Sequence, residues 1–579
     1  MRERGANRTT NLLLLGVVLV GAALRIWGVG FGLPITSSLY IRPDESLLVE
    51  PGLHLFERWG DPLFYVYPAL VIEIVAVLFQ LVFWTGRVVG HVSQDQLLQD
   101  FAAAPSAYFL ATRWISVLAG ILTVYIVFRL TERLSGNRFA ALAAALLYAV
   151  SPLAVRDAHF GVTDNVMVLF LSVSLLAGIT YVSSDEVSAR SPVPMGAWFG
   201  LAAASKYTAF LLGPRLLTAV LFREGKSPAR CLRRLAAVTL LPAGIFLALN
   251  PYVIPNLRST IHELLDILRI FYLWQPGDPP WALREAILQV LRPLRFGPGG
   301  LAGLALCGLG VGLSLRSKGK ERAAAILLAG YLGLHVLALI PFRHLVPYRY
   351  LLPILPLIAV FAGSSLPHLL RATQRIPVRV GAAAILLFCL TTTFYRSAQI
   401  DAVLAATDTR TLAGEWIEKR VPTAMPVVIL CPPEAEPQVY EHRASLMRRT
   451  EYVRRRYGEA AGEFISRLYL DQLADRRREA SGWQLFRFPE LSECPNRVVA
   501  VVTCDHPLRM GRTPPDQSAR WQGRILESVS FQSCKGAEQA AWDWIDALFV
   551  PFTQLSRVER PGPNIEIRII DRGTDLPLD

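Results

Sequence analysis

The sequence is poor in charge for a chain of its length. Only 18% of its 579 residues are charged, whereas a soluble globular protein carries about 25%. Hydrophobic residues make up 53% of the chain, and the mean hydropathy is +0.37. Apolar stretches of about 20 residues recur, which is the length that crosses the hydrocarbon core of a bilayer. The composition therefore excludes an ordinary soluble domain and predicts a polytopic membrane protein.

Signals for nucleic-acid and metal binding are also missing. The sequence has no zinc-finger spacing, RNA-binding strand motif or basic zipper, so the net charge of +13 indicates basic cytoplasmic loops and no nucleic-acid partner. None of the seven cysteines has metal-ligand spacing. No metal site or required cofactor is predicted, although paired carboxylates would accommodate a divalent cation. One or two disulfides and buried free thiols are equally compatible with the cysteines of the C-terminal region, Cys431, Cys494, Cys504 and Cys534.

The N-terminus lacks a cleavage site. Arg2, Arg4 and Arg8 precede an apolar run over residues 11–22, and no small-x-small site follows it. This pattern predicts a retained signal anchor whose N-terminus is in the cytoplasm. Candidate spans lie at residues 11–29, 109–129, 138–155, 163–181, 195–222 (a short hairpin interrupted at Ser205-Lys206), 235–252, 298–315, 323–341, 351–367 and 379–396.

Basic loops set the predicted orientation, because loops rich in Arg and Lys stay in the cytoplasm. The basic clusters lie at residues 129–138, 223–234, 316–322 and 371–379. Residues 66–86 are apolar enough to cross, but a crossing there would move these loops outside. We therefore expect residues 66–86 to lie in the membrane interface or to re-enter. This topology gives eleven crossings in the cell (inner) membrane, with outward loops at 30–108, 156–162, 253–297 and 342–350.

Two domains are predicted. Residues 1–396 would form a transmembrane catalytic domain, with juxtamembrane helices in its outer loop 30–108. The tail, residues 397–579, is charged and punctuated by proline, and it is placed outside the cytoplasm. Its strand-like runs begin at Val427, Val498 and Ile565, and its helix-like stretches cover 409–420 and 536–549. The predicted fold class is an α-helical polytopic membrane protein, with about 11 transmembrane helices and a small extracytoplasmic α/β or α+β domain.

Asp44 and Glu45 form an acidic pair in the first outer loop. Carboxylates at the mouth of an apolar scaffold are costly unless water, partners or chemistry justify them. One interpretation is a general base with a helper carboxylate. The other is a helix N-terminus, where Pro43 and acidic residues in the first turn are favoured. Spacing alone does not distinguish the two.

A second outer cluster runs from residue 156 to Asp164 and includes His159. This pattern is typical of a binding site and, equally, of polar capping at the ends of two membrane helices. Arg113, at the outer start of a span, is close enough in the predicted topology to reach the same region. Taken alone, it favours an arginine that snorkels to the interface.

Cations are the third feature of the predicted outer face. Lys206 and Tyr207 interrupt an apolar stretch, and a lysine at that depth is expensive unless it is paired or wetted. Arg343, Arg349 and Tyr350 follow further along the chain. Phosphate binding, for which arginine is well suited, is one interpretation, and snorkelling is the other. The convergence of these cations with two carboxylate clusters on one face favours phosphate binding.

With these motifs, the chain resembles prokaryotic members of glycosyltransferase family 39, which are relatives of the dolichyl-phosphate-mannose–protein mannosyltransferases among the class C membrane glycosyltransferases. The matching motifs occur in order along most of the chain. They are residues 24–28, 31–34, 42–45, 67–68, 151–164, 205–207, 250–252, 349–353, 408–410 and 560–563, together with Arg113, Ser116 and Gly120.

The resemblance implies that the loop after the first helix holds the catalytic carboxylate and two juxtamembrane helices. This agrees with the prediction that residues 66–86 do not cross. It also implies a polyprenyl-phosphate sugar as donor. The chain departs from the family in two ways. Arg42 stands where many relatives have His, and no protein-binding module is inserted in the outer loops, so the acceptor is left open among protein, lipid and glycan.

The sequence and the resemblance together predict a membrane glycosyltransferase that transfers a sugar to an acceptor hydroxyl with inversion. Asp44 would be the general base, and Glu45 and Asp164 would orient the acceptor or a cation. The leaving phosphate would be stabilised by Lys206, Arg343 and Arg349. The other expected substrate-binding residues are Arg42, Tyr67, Arg113, His159, Tyr207 and Tyr350. Membrane lipids are the remaining expected partner.

The alternative function is a transporter or flippase of lipid-linked substrates. A transporter is expected to have charged residues near the bilayer midplane and inverted repeats. In this sequence the charges collect at one rim of the predicted membrane domain, and a large outer domain follows. This distribution favours the enzyme.

Overall fold

A computed structural model shows a mostly helical chain and describes residues 2–35, 43–58, 60–86, 94–183, 191–273, 282–342, 346–371, 376–457, 482–487, 494, 497–543 and 549–573. Its helices are α1 (Arg2–Ile26), α2 (Pro43–His54), α3 (Leu70–Gly86), α4 (Gln94–Ala103), α5 (Pro105–Ser135), α6 (Arg138–Ala149), α7 (Pro152–Ala158), α8 (Asp164–Ser183), α9 (Val193–Ser205), α10 (Gly213–Glu224), α11 (Pro228–Leu249), α12 (Leu257–Tyr272), α13 (Leu283–Leu294), α14 (Gly300–Arg316), α15 (Gly319–Leu339), α16 (Leu355–Arg371), α17 (Ile376–Leu404), α18 (Thr409–Arg420), α19 (Arg443–Tyr457) and α20 (Pro515–Arg520). Its strands are β1 (Val427–Ile429), β2 (Leu485–Phe486), β3 (Val498–Asp505), β4 (Arg524–Phe531) and β5 (Asn564–Asp571).

Several helices are long and apolar enough to cross a membrane. Within the described ranges there are seven, namely α1, α5, α8, α11, α15, α16 and α17. An eighth results if α6 and α7, which are bent by 57°, count as one span. Pro152 begins α7, and proline disfavours a helical residue before it, so the bend falls at Ser151. The prediction of a multi-pass α-helical membrane protein is confirmed, and the number of crossings stays a prediction.

The chain divides into two compact units. Unit 1 comprises Met1–Trp27, His54–Val77 and Thr112–Asp401, and unit 2 comprises Gly28–Leu53, Leu78–Ala111 and Ala402–Asp579. In unit 1, α16 packs against α6 and α14, and α9 packs against α8 and α11. The approach of α14 to α16 requires glycine at position 310, because a Cβ there would collide with the Phe361 carbonyl group. Small residues at such contacts let helix backbones approach closely within a membrane.

The apolar segment 66–86 contains a helix that is shorter than a typical span. α3 has 17 residues. A transmembrane helix usually needs about 20 apolar residues. Glu73 lies in the first turn of α3. These features agree with the expectation that 66–86 does not cross, which stays a prediction.

The tail in unit 2 forms a mixed five-stranded sheet. The strand order is β2–β1–β3–β5–β4, with β1 parallel to both its neighbours and β5 antiparallel to β3 and β4. The predicted strand-like runs correspond to β1, β3 and β5, and α18 covers residues 409–420, as predicted. β4 was not predicted, because most of its residues are exposed and it lies at the edge of the sheet. A small α/β or α+β domain is thus confirmed.

The cysteines of the tail differ in state. Cys431, just after β1, forms a disulfide with Cys504 of the neighbouring β3. Cys494 and Cys534 are free and buried. Both outcomes that the sequence left open therefore occur in one domain.

The helix predicted over 536–549 is wrong for residues 536–543, where the structure shows turns and irregular backbone. The Ala541 amide donates to Thr553 Oγ1 at 2.8 Å, and the Ala541 carbonyl accepts from the Phe552 amide at 2.9 Å. Backbone groups that bond to residues eleven and twelve positions away are not available for the i to i+4 bonds of a helix. Residues 544–548 lie outside the described residues.

Candidate active site

A break between two short helices places a buried lysine in unit 1. α9 ends at Ser205, Lys206 is extended with φ −158°, and a 3₁₀ turn over Tyr207–Leu212 leads to α10. The predicted interruption at Ser205-Lys206 is therefore confirmed. Lys206 Nζ donates to Asp164 Oδ1 at 2.7 Å and to Oδ2 at 2.9 Å, and both side chains are buried. Asp164 is the first residue of α8, so it fixes the ammonium against a second helix.

Two tyrosine rings face the same ammonium. Lys206 Nζ lies 5.0 Å from the centroid of the Tyr350 ring and 5.6 Å from that of the Tyr67 ring. Both distances are within the range of a cation–π interaction. The sequence predicted these three residues as parts of one site, and the structure brings them together with Asp164. Their roles in substrate binding stay predictions.

The loop that carries Tyr67 is held in unit 1 by hydrogen bonds at both ends. The Ala69 amide donates to Asn250 Oδ1 at 2.7 Å, and the Tyr65 amide donates to the Glu263 carboxylate at 2.7 Å. Burial raises the pKa of the Glu263 carboxyl, while the backbone donors oppose that rise. Tyr207 adds a third bond, from its hydroxyl to the Tyr65 carbonyl at 3.2 Å. Tyr207 therefore supports the loop that carries Tyr67, and its role in substrate binding stays a prediction.

Arg349 supplies a second cation. It is buried in the 3₁₀ segment Tyr348–Ile354, and its guanidinium carbon lies 5.8 Å from the centroid of the Tyr350 ring. Arg349 therefore brings a second positively charged side chain to the ring that also faces Lys206. Such a cluster favours an anion, and arginine is suited to bidentate contacts with phosphate.

A small cavity lies beside the ion pair. Its volume is about 40 Å³, and Asp164, Thr208, Tyr272, His335 and Tyr350 are among its lining residues. A space of this size holds a water molecule or a hydroxyl group. His335 was not predicted as a site residue. The only signal in the sequence was an ionisable side chain within the apolar span 323–341, a placement that often marks function.

His159 lies in a different environment of unit 1. Its Nδ1 is 2.9 Å from the Val155 carbonyl oxygen, and its Nε2 is 2.8 Å from that of Trp27. The Asp401 carboxylate lies 3.7 Å from Nε2, and the imidazole is fully buried. Both ring nitrogens thus lie next to backbone carbonyl oxygens of the protein itself, which favours the interpretation of His159 as a residue that joins helix ends.

Arg113 is fully buried on α5. Three residues along the same helix, the Ser116 hydroxyl donates to the Val162 carbonyl at 3.1 Å. This bond fixes α5 against the segment that follows α7. The helix of Arg113 therefore packs against the second outer cluster, as the predicted topology implied.

The acidic pair begins α2 in unit 2. Asp44 and Glu45 both lie in the first turn of the helix, where the helix dipole stabilises carboxylates. Glu45 is fully buried, whereas Asp44 is partly exposed. The helix N-terminus interpretation is confirmed, and it is compatible with catalysis. Of the two carboxylates, Asp44 is the more accessible to a substrate.

Two predicted residues, Arg42 and Arg343, lie outside the described residues. The sequence analysis left open whether the paired carboxylates bind a divalent cation. In the part of the chain that the structure describes, no group of three or more His, Cys, Asp or Glu side chains is arranged to hold a metal ion.

One comparison with known families gives a match. Residues 104–254 match the family model described as dolichyl-phosphate-mannose-protein mannosyltransferase. The matched segment contains α5 to α11, and with them Arg113, His159, Asp164 and Lys206. A comparison of the sequence with curated proteins gives no match.

Similar solved structures share little sequence with the chain. ArnT from Cupriavidus metallidurans in the apo state is 14% identical over 97% of this chain and 98% of its own, with a TM-score of 0.48. The apo oligosaccharyltransferase of Archaeoglobus fulgidus is 14% identical over 72% of this chain, which spans 62% of that enzyme, with a TM-score of 0.44. The donor-bound Pmt1-Pmt2 O-mannosyltransferase complex of S. cerevisiae is 18% identical over 44% of this chain and 34% of its own, with a TM-score of 0.32.

The apolar helices and the family match define the class of the protein as a multi-pass membrane glycosyltransferase. Within that class, the chain is similar to the dolichyl-phosphate-mannose–protein mannosyltransferases over residues 104–254, which confirms the resemblance predicted from its motifs.

Proposed function

We propose that this protein transfers a sugar from a polyprenyl-phosphate donor to an acceptor hydroxyl on the extracytoplasmic face of the membrane. The observation that carries the proposal is the buried Lys206–Asp164 pair, faced by two tyrosine rings and accompanied by Arg349. The family match includes this pair, and the family description names a dolichyl-phosphate sugar as donor. The acceptor is a protein, a lipid or a glycan.

The cations would stabilise the leaving group. When the bond between the anomeric carbon and the phosphate oxygen breaks, that oxygen keeps the electron pair and gains negative charge. Lys206 and Arg349 are fixed before the reaction by their neighbours, and preorganised charges of this kind lower the barrier to charge development. An ammonium has three N–H donors, so Lys206 can hold Asp164 and still donate to a phosphate oxygen. Asp164 would act by orienting the cation.

Asp44 would act as the general base. It takes the proton of the acceptor hydroxyl as that oxygen attacks the anomeric carbon from the side opposite the phosphate. Direct displacement inverts the configuration at this carbon. Glu45, buried in the same helical turn, would position Asp44 or the acceptor.

Binding of sugar-free undecaprenyl phosphate to the purified protein tests the role of the cation pair. Lys206→Met should weaken binding by about 10-fold or more, because a charge-assisted hydrogen bond contributes about 1.5–3 kcal/mol. Lys206→Met alone leaves Asp164 as an unpaired buried charge, which destabilises proteins by about 3–5 kcal/mol. The double variant Lys206→Met with Asp164→Asn removes both charges, so it should fold and still bind weakly.

Arg316→Ala, which removes an exposed arginine at the end of α14, is the matched control and should bind like the wild type. Wild-type affinity in a folded double variant would remove Lys206 from the donor site. The transfer reaction itself is measured as the release of undecaprenyl phosphate from lipid-linked sugars. If the protein instead moves these lipids across liposome bilayers and releases no undecaprenyl phosphate, the transporter alternative replaces the enzyme.

A further inference from the structure

One face of α12 in unit 1 is apolar and exposed along most of the helix. Four of its side chains are spaced three or four residues apart, which places them on one face. Each of them is 46–52% exposed: Leu257, Ile261, Leu265 and Leu268. We call these four residues the apolar stripe of α12. None of the roles proposed above uses it.

The neighbouring face of the same helix is charged. Arg258, His262 and Arg269 are exposed. Asp266 lies 3.1 Å from the His262 ring and 3.0 Å from the Arg269 guanidinium. These charges extend over as much of α12 as the apolar stripe does. A helix that crossed a bilayer would place them in hydrocarbon, which is costly, so α12 does not have the character of a span.

The third face of α12 holds the loop that carries Tyr67. The Glu263 carboxylate accepts from the Tyr65 amide at 2.7 Å. Just before the helix, the Asn256 side-chain amide donates to the Asp61 carboxylate at 2.9 Å. The position of this loop is therefore tied to the position of α12.

The place of α12 in the chain indicates what covers its apolar stripe. Residues 250–256 alone separate it from α11, which is long and apolar enough to cross a membrane. α12 thus begins close to the end of a span. A helix with one apolar and one charged face at that depth is suited to lie in the plane of the bilayer surface, with its apolar face among the lipid chains and its charges in water.

We propose that the lipid bilayer surface is the partner of the apolar stripe, and that α12 thereby holds the loop that carries Tyr67 at a fixed depth. The Tyr67 ring lies 5.6 Å from the Lys206 ammonium, so this contact with lipid helps to position one side of the cation site. The proposal goes beyond the proposed function and does not depend on the reaction.

Fluorescence quenching in liposomes tests the contact with lipid. An environment-sensitive dye is attached to Leu265→Cys in the apolar stripe and, as the matched control, to His262→Cys on the charged face of the same helix. We expect nitroxide lipids to quench the dye at position 265 and iodide, present on both sides of the bilayer, to quench the dye at position 262. Equal quenching of both dyes by iodide overturns the proposal. A dye at position 265 that neither quencher reaches also overturns it, in favour of a protein partner.

Hydrogen exchange in the same liposomes tests the link to the loop. Ile261→Gln with Leu265→Gln removes the middle of the apolar stripe. We expect the Tyr65 amide to exchange about 10-fold faster in this double variant, which corresponds to the loss of about one hydrogen bond. The matched control is Ile525→Gln with Leu526→Gln, which alters two similarly exposed residues of the tail and should leave this amide unchanged.

An unchanged Tyr65 amide in the Ile261→Gln, Leu265→Gln variant overturns the proposal, because the loop would then be held without the bilayer. Faster exchange throughout unit 1 also overturns it, since the two side chains would then contribute to general stability. Faster exchange confined to α12 and residues 61–69 supports it.

Discussion

At the scale of single residues, the three candidate catalytic carboxylates, Asp44, Glu45 and Asp164, differ in how accessible they are to a substrate. Asp164 is buried and lies 2.7 Å from the Lys206 ammonium. Asp44 lies at the start of α2 and is partly exposed, whereas Glu45 beside it is fully buried. A base must meet its substrate, so among these three carboxylates Asp44 is the best candidate for proton transfer.

We expect Asp44→Asn to lower the transfer rate by about 10²-fold or more, because the amide keeps the shape of the side chain but cannot take a proton. The rate is measured as release of undecaprenyl phosphate from the lipid-linked sugar. Binding of undecaprenyl phosphate should stay unchanged, since the phosphate contacts are assigned to Lys206 and Arg349. Glu45→Gln should cost less if Glu45 only positions its neighbour.

Asp516→Asn, which alters an exposed carboxylate of the tail, serves as the control. If Glu45→Gln is the more damaging variant, Glu45 takes over the role of base. Wild-type rates in both variants would remove the acidic pair from the catalytic centre.

At the scale of elements, polar side chains that form buried contacts lie where apolar helices are interrupted. His159 follows the bend between α6 and α7. Lys206 follows the end of α9, and its ammonium contacts Asp164. Two of the motifs that carry the family resemblance, residues 408–410 and 560–563, contact each other. In unit 2, Thr409 at the start of α18 donates through its amide to the Pro561 carbonyl and through its hydroxyl to the Pro563 carbonyl. Residues 408–410 and 560–563 thus form one contact.

Gly562→Ala should destabilise this contact by roughly 2 kcal/mol or more. The residue has φ +94°, and an added Cβ would collide with Thr409 Oγ1 and lie 2.6 Å from Asp408 Oδ1. Backbone strain at positive φ and steric overlap each cost on the order of 1–3 kcal/mol. Hydrogen exchange of the amides in the first turns of α18 measures the loss.

Gly573→Ala isolates the steric part of this effect. That residue also has positive φ, at +70°, but a Cβ there would meet nothing within 4 Å. We expect its effect to be smaller and absent from α18. Equal exchange rates in the two variants would show that the clash is relieved and that the contact between the two motifs contributes little.

At the scale of the whole molecule, the orientation in the membrane depends on one segment. A crossing by residues 66–86 would reverse the side on which every later loop lies. α3 is short for a span, and the basic loops stay in the cytoplasm only if it does not cross. The outer location proposed for the sugar transfer depends on this topology.

Introduced cysteines at three exposed positions test the topology through labelling with a membrane-impermeant maleimide. Arg8→Cys and Lys318→Cys should react from the same side, and Glu527→Cys from the opposite side. The native thiols should give a low background, because within the described residues the free cysteines are buried and the other two form a disulfide. Labelling of positions 8 and 318 from opposite sides would indicate that 66–86 crosses.

The sequence by itself determined the features that depend on neighbouring residues. Hydropathy over about 20 residues predicted the spans, and a charged residue in an apolar stretch predicted the break at Lys206. Apolar runs predicted β1, β3 and β5 of the tail, and the helix-like stretch over residues 409–420 predicted α18. Each of these properties is set by residues a few positions apart.

Only the tertiary structure decided which distant residues meet. It paired Lys206 with Asp164, placed Tyr350 against both Lys206 and His335, and chose Cys504 as the partner of Cys431. It also replaced the helix predicted at 536–543, because Ala541 bonds to residues 552 and 553. Such contacts depend on how whole elements pack, and a sequence window of one helix or strand contains no information about the side chains that the rest of the chain brings to it.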